Sequence, residues 1–162
     1  MVMPANLIKT LNFITEILLN LVGLFLFLFT TTVFLQVLTR FVIQIPLAWT
    51  EEVSRYFFIW MVFLGSAVGI RKGLHYQIFF LLDGLGAKTK KNILKGVDII
   101  VLLFFFLVLV HSLDFWNLLK INRSPALAIS MAIPYTSVVC FGIFGFVFSL
   151  ENVFKSFLGR RG

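Results

Sequence analysis

The stretch Leu47–His75, LAWTEEVSRYFFIWMVFLGSAVGIRKGLH, decides the fold. It opens on Trp49, the acids Glu51 and Glu52, and Arg55, runs on apolar and aromatic, and closes on the basic pair Arg71–Lys72. A bilayer core roughly 30 Å thick takes about 20 apolar residues as helix, and this segment supplies them. Gly65, Ser66, Ala67, Gly69 and Gly73 thin its second half to small side chains. Small residues four apart let another helix backbone approach closely, which is how helices associate where lipid removes the hydrophobic drive. The reading is a transmembrane helix made to touch another helix. It predicts a partner rather than a reaction.

The rest of the chain has the same character. Of 162 residues, 60% are hydrophobic and 13% charged, too little charge to cover a soluble domain of this size. Four stretches are long and apolar enough to cross a bilayer, at about residues 14–38, 53–70, 97–114 and 132–150. Their continuous rather than alternating hydrophobicity disfavours a β-barrel. The expected fold is an all-α integral membrane protein, one domain over 1–162. A short interfacial helix is expected between the second and third spans, in Leu74–Gly84, because that run is apolar but too short to span. The net charge of +7 is no nucleic-acid footprint, since the basic residues sit in short loops beside apolar spans. Ten of the fourteen Lys and Arg fall at the termini and in the second loop, which by the positive-inside rule places both termini in the cytoplasm. Lys88, Lys90 and Lys91 would then face anionic lipid head groups, at about 1 kcal/mol each. The first apolar run is too long for a signal-peptide core, so it is expected to remain as a helix.

Taken singly, the polar residues have modest readings. Thr10 or Asn12 is expected to cap the first helix and Thr50 the second. Glu16 reads as interfacial, and Thr30, Thr31, Thr32 and Gln36 as interhelical glue at roughly 0.6 kcal/mol each. Glu51 and Glu52 are spaced to reach Arg55 from one turn away. Either both neutralise it, or one carboxylate is left for a basic group on a neighbouring protein. Gly142 and Gly145 form a second close-contact face, and Pro134 suits the first turn of the last helix. Cys140, the single cysteine, reads as a small buried hydrophobe. His111 and Asp114 are spaced to hydrogen-bond near one membrane face, with Trp49 and Trp116 marking its aromatic belt. His75 lies at the opposite face. About 15 helical residues at roughly 1.5 Å each separate the two histidines, so one haem cannot take both. No clustered metal set is seen, and an enzyme is not expected.

Two islands together resemble a known family. They are PLAWTEEVSRYFFIWMVFLGSAVGIRKGLH and, one loop later, SPALAISMAIPYT. The first is similar to the W-x-E-E, aromatic helix, G-x-A and terminal His of the DctQ-type small membrane subunit of tripartite ATP-independent periplasmic (TRAP) transporters. The second is similar to its S/T-P-A-L…P-Y segment. The resemblance covers nearly the whole chain, which departs at Phe79, where the family often carries an acid. It implies an accessory subunit in the bacterial inner membrane. Its partners would be a large membrane subunit that moves an organic acid, sialic acid or a C4-dicarboxylate, with sodium, and a periplasmic substrate-binding protein. Sodium would be held by the large subunit, and this chain would carry no cofactor. Contacts with the large subunit are then expected at Trp49, Glu51, Glu52, Arg55, Gly65, Gly69 and Gly73, and with the binding protein at Arg123, Ser124 and Pro125. The alternatives are an autonomous homo-oligomeric transporter and an assembly subunit of another membrane complex. The former would need an ionisable residue at mid-membrane, and all four span centres lack one.

Overall fold

A computed structural model describes residues 5–74, 84 and 86–158. It consists of four long helices: α1 (Ala5–Phe41), α2 (Ala48–Arg71), α3 (Ala87–Leu119) and α4 (Ala132–Phe157). Each is long and apolar enough to cross a membrane. The helices overrun the apolar stretches read from the sequence, except at the start of α4. Hydropathy marks only the part that must lie in hydrocarbon, whereas helical hydrogen bonding continues through polar flanks. The expected interfacial helix and His75 lie outside the described residues, Leu74 and Gly84 apart.

Packing is a linear array rather than a square bundle. α1 lies on α2, α2 on α4, and α4 on α3, so α2 and α4 are central and α1 and α3 form the edges. The abundance of phenylalanine serves this arrangement, because rings join each neighbouring pair. Phe25 of α1 stacks on Trp60 of α2 at 5.7 Å, Phe63 of α2 meets Phe141 of α4 at 5.2 Å, and Phe141 meets Phe105 of α3 at 5.0 Å. Such pairs add about 0.5–1.5 kcal/mol each beyond area burial.

Local chemistry sets the breaks. Ile45 precedes Pro46, which disfavours helix at that residue, and Gln44 takes φ 61. The caps differ from the expectation. α1 is already helical at Ala5, so Thr10 lies inside it and bonds back to the Asn6 carbonyl at 3.0 Å. α2 begins after Leu47, and Thr50 occupies its first turn, donating to the Leu47 carbonyl at 2.7 Å. Hydroxyls within helices often choose the carbonyl one turn back, because it is always in reach. Thr30 and Thr32 do the same, to Leu26 and Leu28, and so do not glue α1 to another helix of this chain. Pro134 does fall in the first turn of α4.

The glycines divide by role. A Cβ added to Gly65 would meet Val22 of α1 at 3.8 Å, an ordinary contact, whereas one on Gly142 would come within 3.1 Å of the Leu109 Cα of α3. Gly145 sits under the Phe105 ring. The closest glycine contact in the array is therefore α3 on α4. Gly142→Leu is expected to push the two apart and cost about 1–3 kcal/mol by overpacking, read as a lower unfolding midpoint in detergent. Gly65→Ala should stay within about 0.5 kcal/mol of wild type.

Candidate functional site

Two polar clusters sit at opposite ends of the array, and each ties elements together that the sequence keeps far apart. The first gathers the start of α2 and the loop between α3 and α4. That loop is closed on itself. Arg123 and Ser130 form an antiparallel bridge, the Ser124 N–H donates to the Ile129 carbonyl at 2.8 Å, and the Ala128 N–H donates to the Ser124 carbonyl at 3.0 Å. Ala128 takes φ 55 to close it, a left-handed conformation that costs a non-glycine residue about 1 kcal/mol or more. Arg123 donates to the Ala128 carbonyl from outside. Consecutive N–H groups of Ala126 and Leu127 then point at one oxygen of Glu52, at 3.0 and 2.9 Å, while Tyr56 donates its hydroxyl to the other.

Glu52 is thus buried and fully engaged within the chain. It does not share Arg55, and its carboxylate is not left over for a neighbour. Glu51 is the acid that pairs with Arg55, at 3.4 Å, both side chains more than half exposed. The reason is directional: Glu51, Arg55, Phe58 and Val62 line the outward face of α2, while Glu52 and Tyr56 face the loop. An exposed pair of this kind contributes about 0–1 kcal/mol, so it orders little and remains available at the surface. Trp49 is 42% exposed beside it.

Between these elements lies a cleft of about 290 Å³, lined by Glu51, Arg55, Tyr56, Pro125, Met131 and Tyr135 among others. Glu51, Glu52 and Arg55 from one island and Pro125 from the other therefore meet around one opening. Arg123 and Pro125 are exposed, and Ser124 is buried beneath them. Trp116 braces the same end, its indole N–H donating to the Ala132 carbonyl and the Thr136 hydroxyl oxygen, each at 3.0 Å. His111 and Asp114 are both exposed, and among the described residues no hydrogen bond joins them.

The second cluster joins Arg71 to residues that no sequence spacing links to it. Arg71 closes α2 and reaches across both of its neighbours. Its Nε donates to Glu151 of α4 at 2.8 Å, and its terminal nitrogens donate to the Leu11 carbonyl at 2.8 Å, Thr15 Oγ1 at 2.5 Å and Asn12 Oδ1 at 2.7 Å, all on α1. Lys155 completes the carboxylate at 2.7 Å, and the guanidinium lies over the Phe148 ring. Asn152 adds a bond to the Ile70 carbonyl at 2.9 Å. Asn12, expected as a cap, is instead an acceptor in this network. A guanidinium suits the place because its planar fork can serve several acceptors at once, which an ammonium cannot. The signal in the sequence was an isolated acid, Glu151, one turn before Lys155 at the end of an apolar helix, with Arg71 at the matching level of another.

Of the glycine ladder, Gly65 faces α1, Gly69 is buried by the chain's own helices, and Gly73 (φ 71) lies beyond α2 in the turn that ends it. The three do not form one outward stripe. Lys88 and Lys91 are exposed at the start of α3, and Lys90 is half-buried. Cys140 is half-buried against the core. Among the described residues no group of three or more His, Cys, Asp or Glu comes together.

Comparison with known proteins finds relatives along most of the chain. Residues 29–159 match the family described as tripartite ATP-independent periplasmic transporters, DctQ component. The chain is 28% identical over 120 residues to the sialic acid TRAP transporter small permease protein SiaQ of Vibrio cholerae, spanning 74% of this chain and 69% of that protein. It is 30% identical over 117 residues to a putative TRAP transporter small permease protein of Haemophilus influenzae, spanning 72% of each. A third similarity, 32% over 82 residues, is to the sialic acid TRAP transporter permease protein SiaT of H. influenzae, and covers 51% of this chain but 13% of that protein.

Proposed function

The chain belongs to the DctQ component family of tripartite ATP-independent periplasmic transporters, and on that premise we propose that it anchors the stationary part of a sodium-driven organic-acid transporter. It is a multi-pass membrane protein and a small permease subunit, not an enzyme. The proposal is that it packs against a large permease subunit in the bacterial inner membrane, both termini in the cytoplasm. That subunit would hold sodium and substrate.

The carrying observation is where the polar groups sit. Glu52 and the Arg71–Glu151 pair lie at opposite ends of the array, each engaged in tying helices or loops together. A cation- or proton-coupled carrier places an ionisable group in the membrane interior to bind its ion, whereas these groups are held by multiple bonds within the chain. The arrangement suits a scaffold. Sialic acid is the leading substrate class, because SiaQ and SiaT are named for it, with a C4-dicarboxylate as the alternative. The exposed rim of Trp49, Glu51, Arg55, Arg123 and Pro125 would face the periplasm, within reach of a substrate-binding protein. The lysines at the start of α3 would face head groups.

The test is co-purification of the tagged chain with the large permease subunit co-expressed beside it. A stable one-to-one complex in mild detergent is the expected result. Elution as a homo-oligomer without the large subunit would overturn the accessory role in favour of an autonomous transporter.

A further inference from the structure

We propose that the outward face of α1 is the surface on which this chain receives a membrane helix of the large permease subunit. The linear array leaves two edges, and their outward faces differ in chemistry. On α3, every exposed residue from Ile99 to Val110 is apolar, the composition that lipid chains require. On α1, the exposed residues Phe13, Glu16, Asn20, Gly23, Phe27 and Thr30 recur three and four apart, and the same spacing runs on to Phe41. That spacing marks one face of a helix, and α3 shares it; what sets the α1 face apart is a carboxylate, an amide, a glycine and a hydroxyl where α3 offers apolar side chains alone. Phe13 and Phe27 are 66% and 67% exposed, while Gly23 between them has nothing within 4 Å of where its Cβ would be. The result is an open gap at Gly23, one turn from the exposed Phe27 ring.

Depth makes lipid the wrong occupant. Thr15 marks the level of the Arg71–Glu151 pair, and Asn20 lies about 7.5 Å further along the helix, at roughly 1.5 Å per residue. Its amide makes no hydrogen bond among the described residues. A primary amide facing hydrocarbon is costly, and in membrane helices such groups bond across to another helix. Glu16, one turn back towards the boundary, adds an exposed carboxylate that would select a basic or hydrogen-donating residue on the partner. The large permease is the occupant chosen, a choice that rests on the accessory-subunit reading. In SiaT the matching segment is 13% of a single polypeptide, so in that relative the counterpart of this chain is joined to a much larger sequence.

The test is site-directed crosslinking in the complex. Gly23→Cys, Phe27→Cys and Thr30→Cys, each with Cys140→Ala, are labelled with a photoactivatable thiol reagent and compared with Ile100→Cys, Leu103→Cys and Leu107→Cys on α3. Adducts to the large subunit from the α1 series alone are expected. Adducts from the α3 series alone, or α1 adducts only to a second copy of this chain, would overturn the assignment while leaving the accessory role standing. Gly23→Leu supplies an independent readout, since the chain itself has room for the side chain. It should keep the wild-type unfolding midpoint and lose the co-purifying large subunit. Undiminished co-purification would count against the face. Failure of the wild-type chain to bring down the permease would remove both the face and the functional reading beneath it.

Discussion

Glu151→Leu is expected to be among the most damaging substitutions in this chain, destabilising the array by about 3–5 kcal/mol. The carboxylate is 1% exposed and balances an Arg71 guanidinium that is 9% exposed. Removing it leaves a buried cation whose remaining partners, the Leu11 carbonyl, Thr15 and Asn12, are all neutral. Arg71→Leu should cost less, about 1–3 kcal/mol, because Lys155 still neutralises Glu151 at 2.7 Å. Lys155→Ala, at a side chain 36% exposed, should stay within about 1 kcal/mol. The ordering Glu151→Leu, then Arg71→Leu, then Lys155→Ala would appear as graded losses of the unfolding midpoint in detergent. Equal midpoints for Glu151→Leu and wild type would mean the network contributes nothing to the fold. The cost arises from leaving one charge behind, so a double change Arg71→Met with Glu151→Leu should recover much of the loss.

The second large effect is expected at Glu52. Glu52→Ala removes the acceptor of two backbone N–H groups and the Tyr56 hydroxyl, at about 1–3 kcal/mol for the donors stranded. The consequence is local. The loop should loosen while the helices stay assembled, and trypsin should cut after the exposed Arg123 faster than in wild type. Glu52→Gln should behave nearly as wild type, because its carbonyl oxygen can still receive both N–H groups and its amide can donate to the Tyr56 oxygen. Proteolysis at an unchanged rate in Glu52→Ala would show that the loop closes without the carboxylate. Since Pro125 and Met131 wall the cleft, the same variant should weaken any contact made there, whereas Glu51→Gln should leave the loop intact.

How much of this was legible can be judged residue by residue. Glu51 with Arg55 follows from helix spacing, because residues one turn apart on one face meet whatever else the chain does. Glu52 with Arg55 was an equally good match by spacing and did not form. The competing donors are Ala126 and Leu127, more than seventy residues away, and nothing local announces that a loop will turn two N–H groups towards α2. Gly142 was readable as a close-contact glycine. That Gly65 would be the looser contact, and that Gly73 would serve a turn, depended on which helices became neighbours.

Four membrane helices and their breaks follow from local sequence, because the hydrophobic length of a span, the restriction before Pro46 and the placement of Pro134 act within a few residues. The sequence also carries the family, through two islands whose order and spacing survive without any geometry. That the helices form a linear array, that Arg71 joins three of them and that Glu52 holds a loop emerges from three-dimensional packing alone. In hydrocarbon every apolar face is equally content against lipid or protein, so hydrophobic pattern cannot choose neighbours. The choice falls to a few polar groups, to glycines and to ring shapes, whose partners are set by three-dimensional fit and lie far away along the chain.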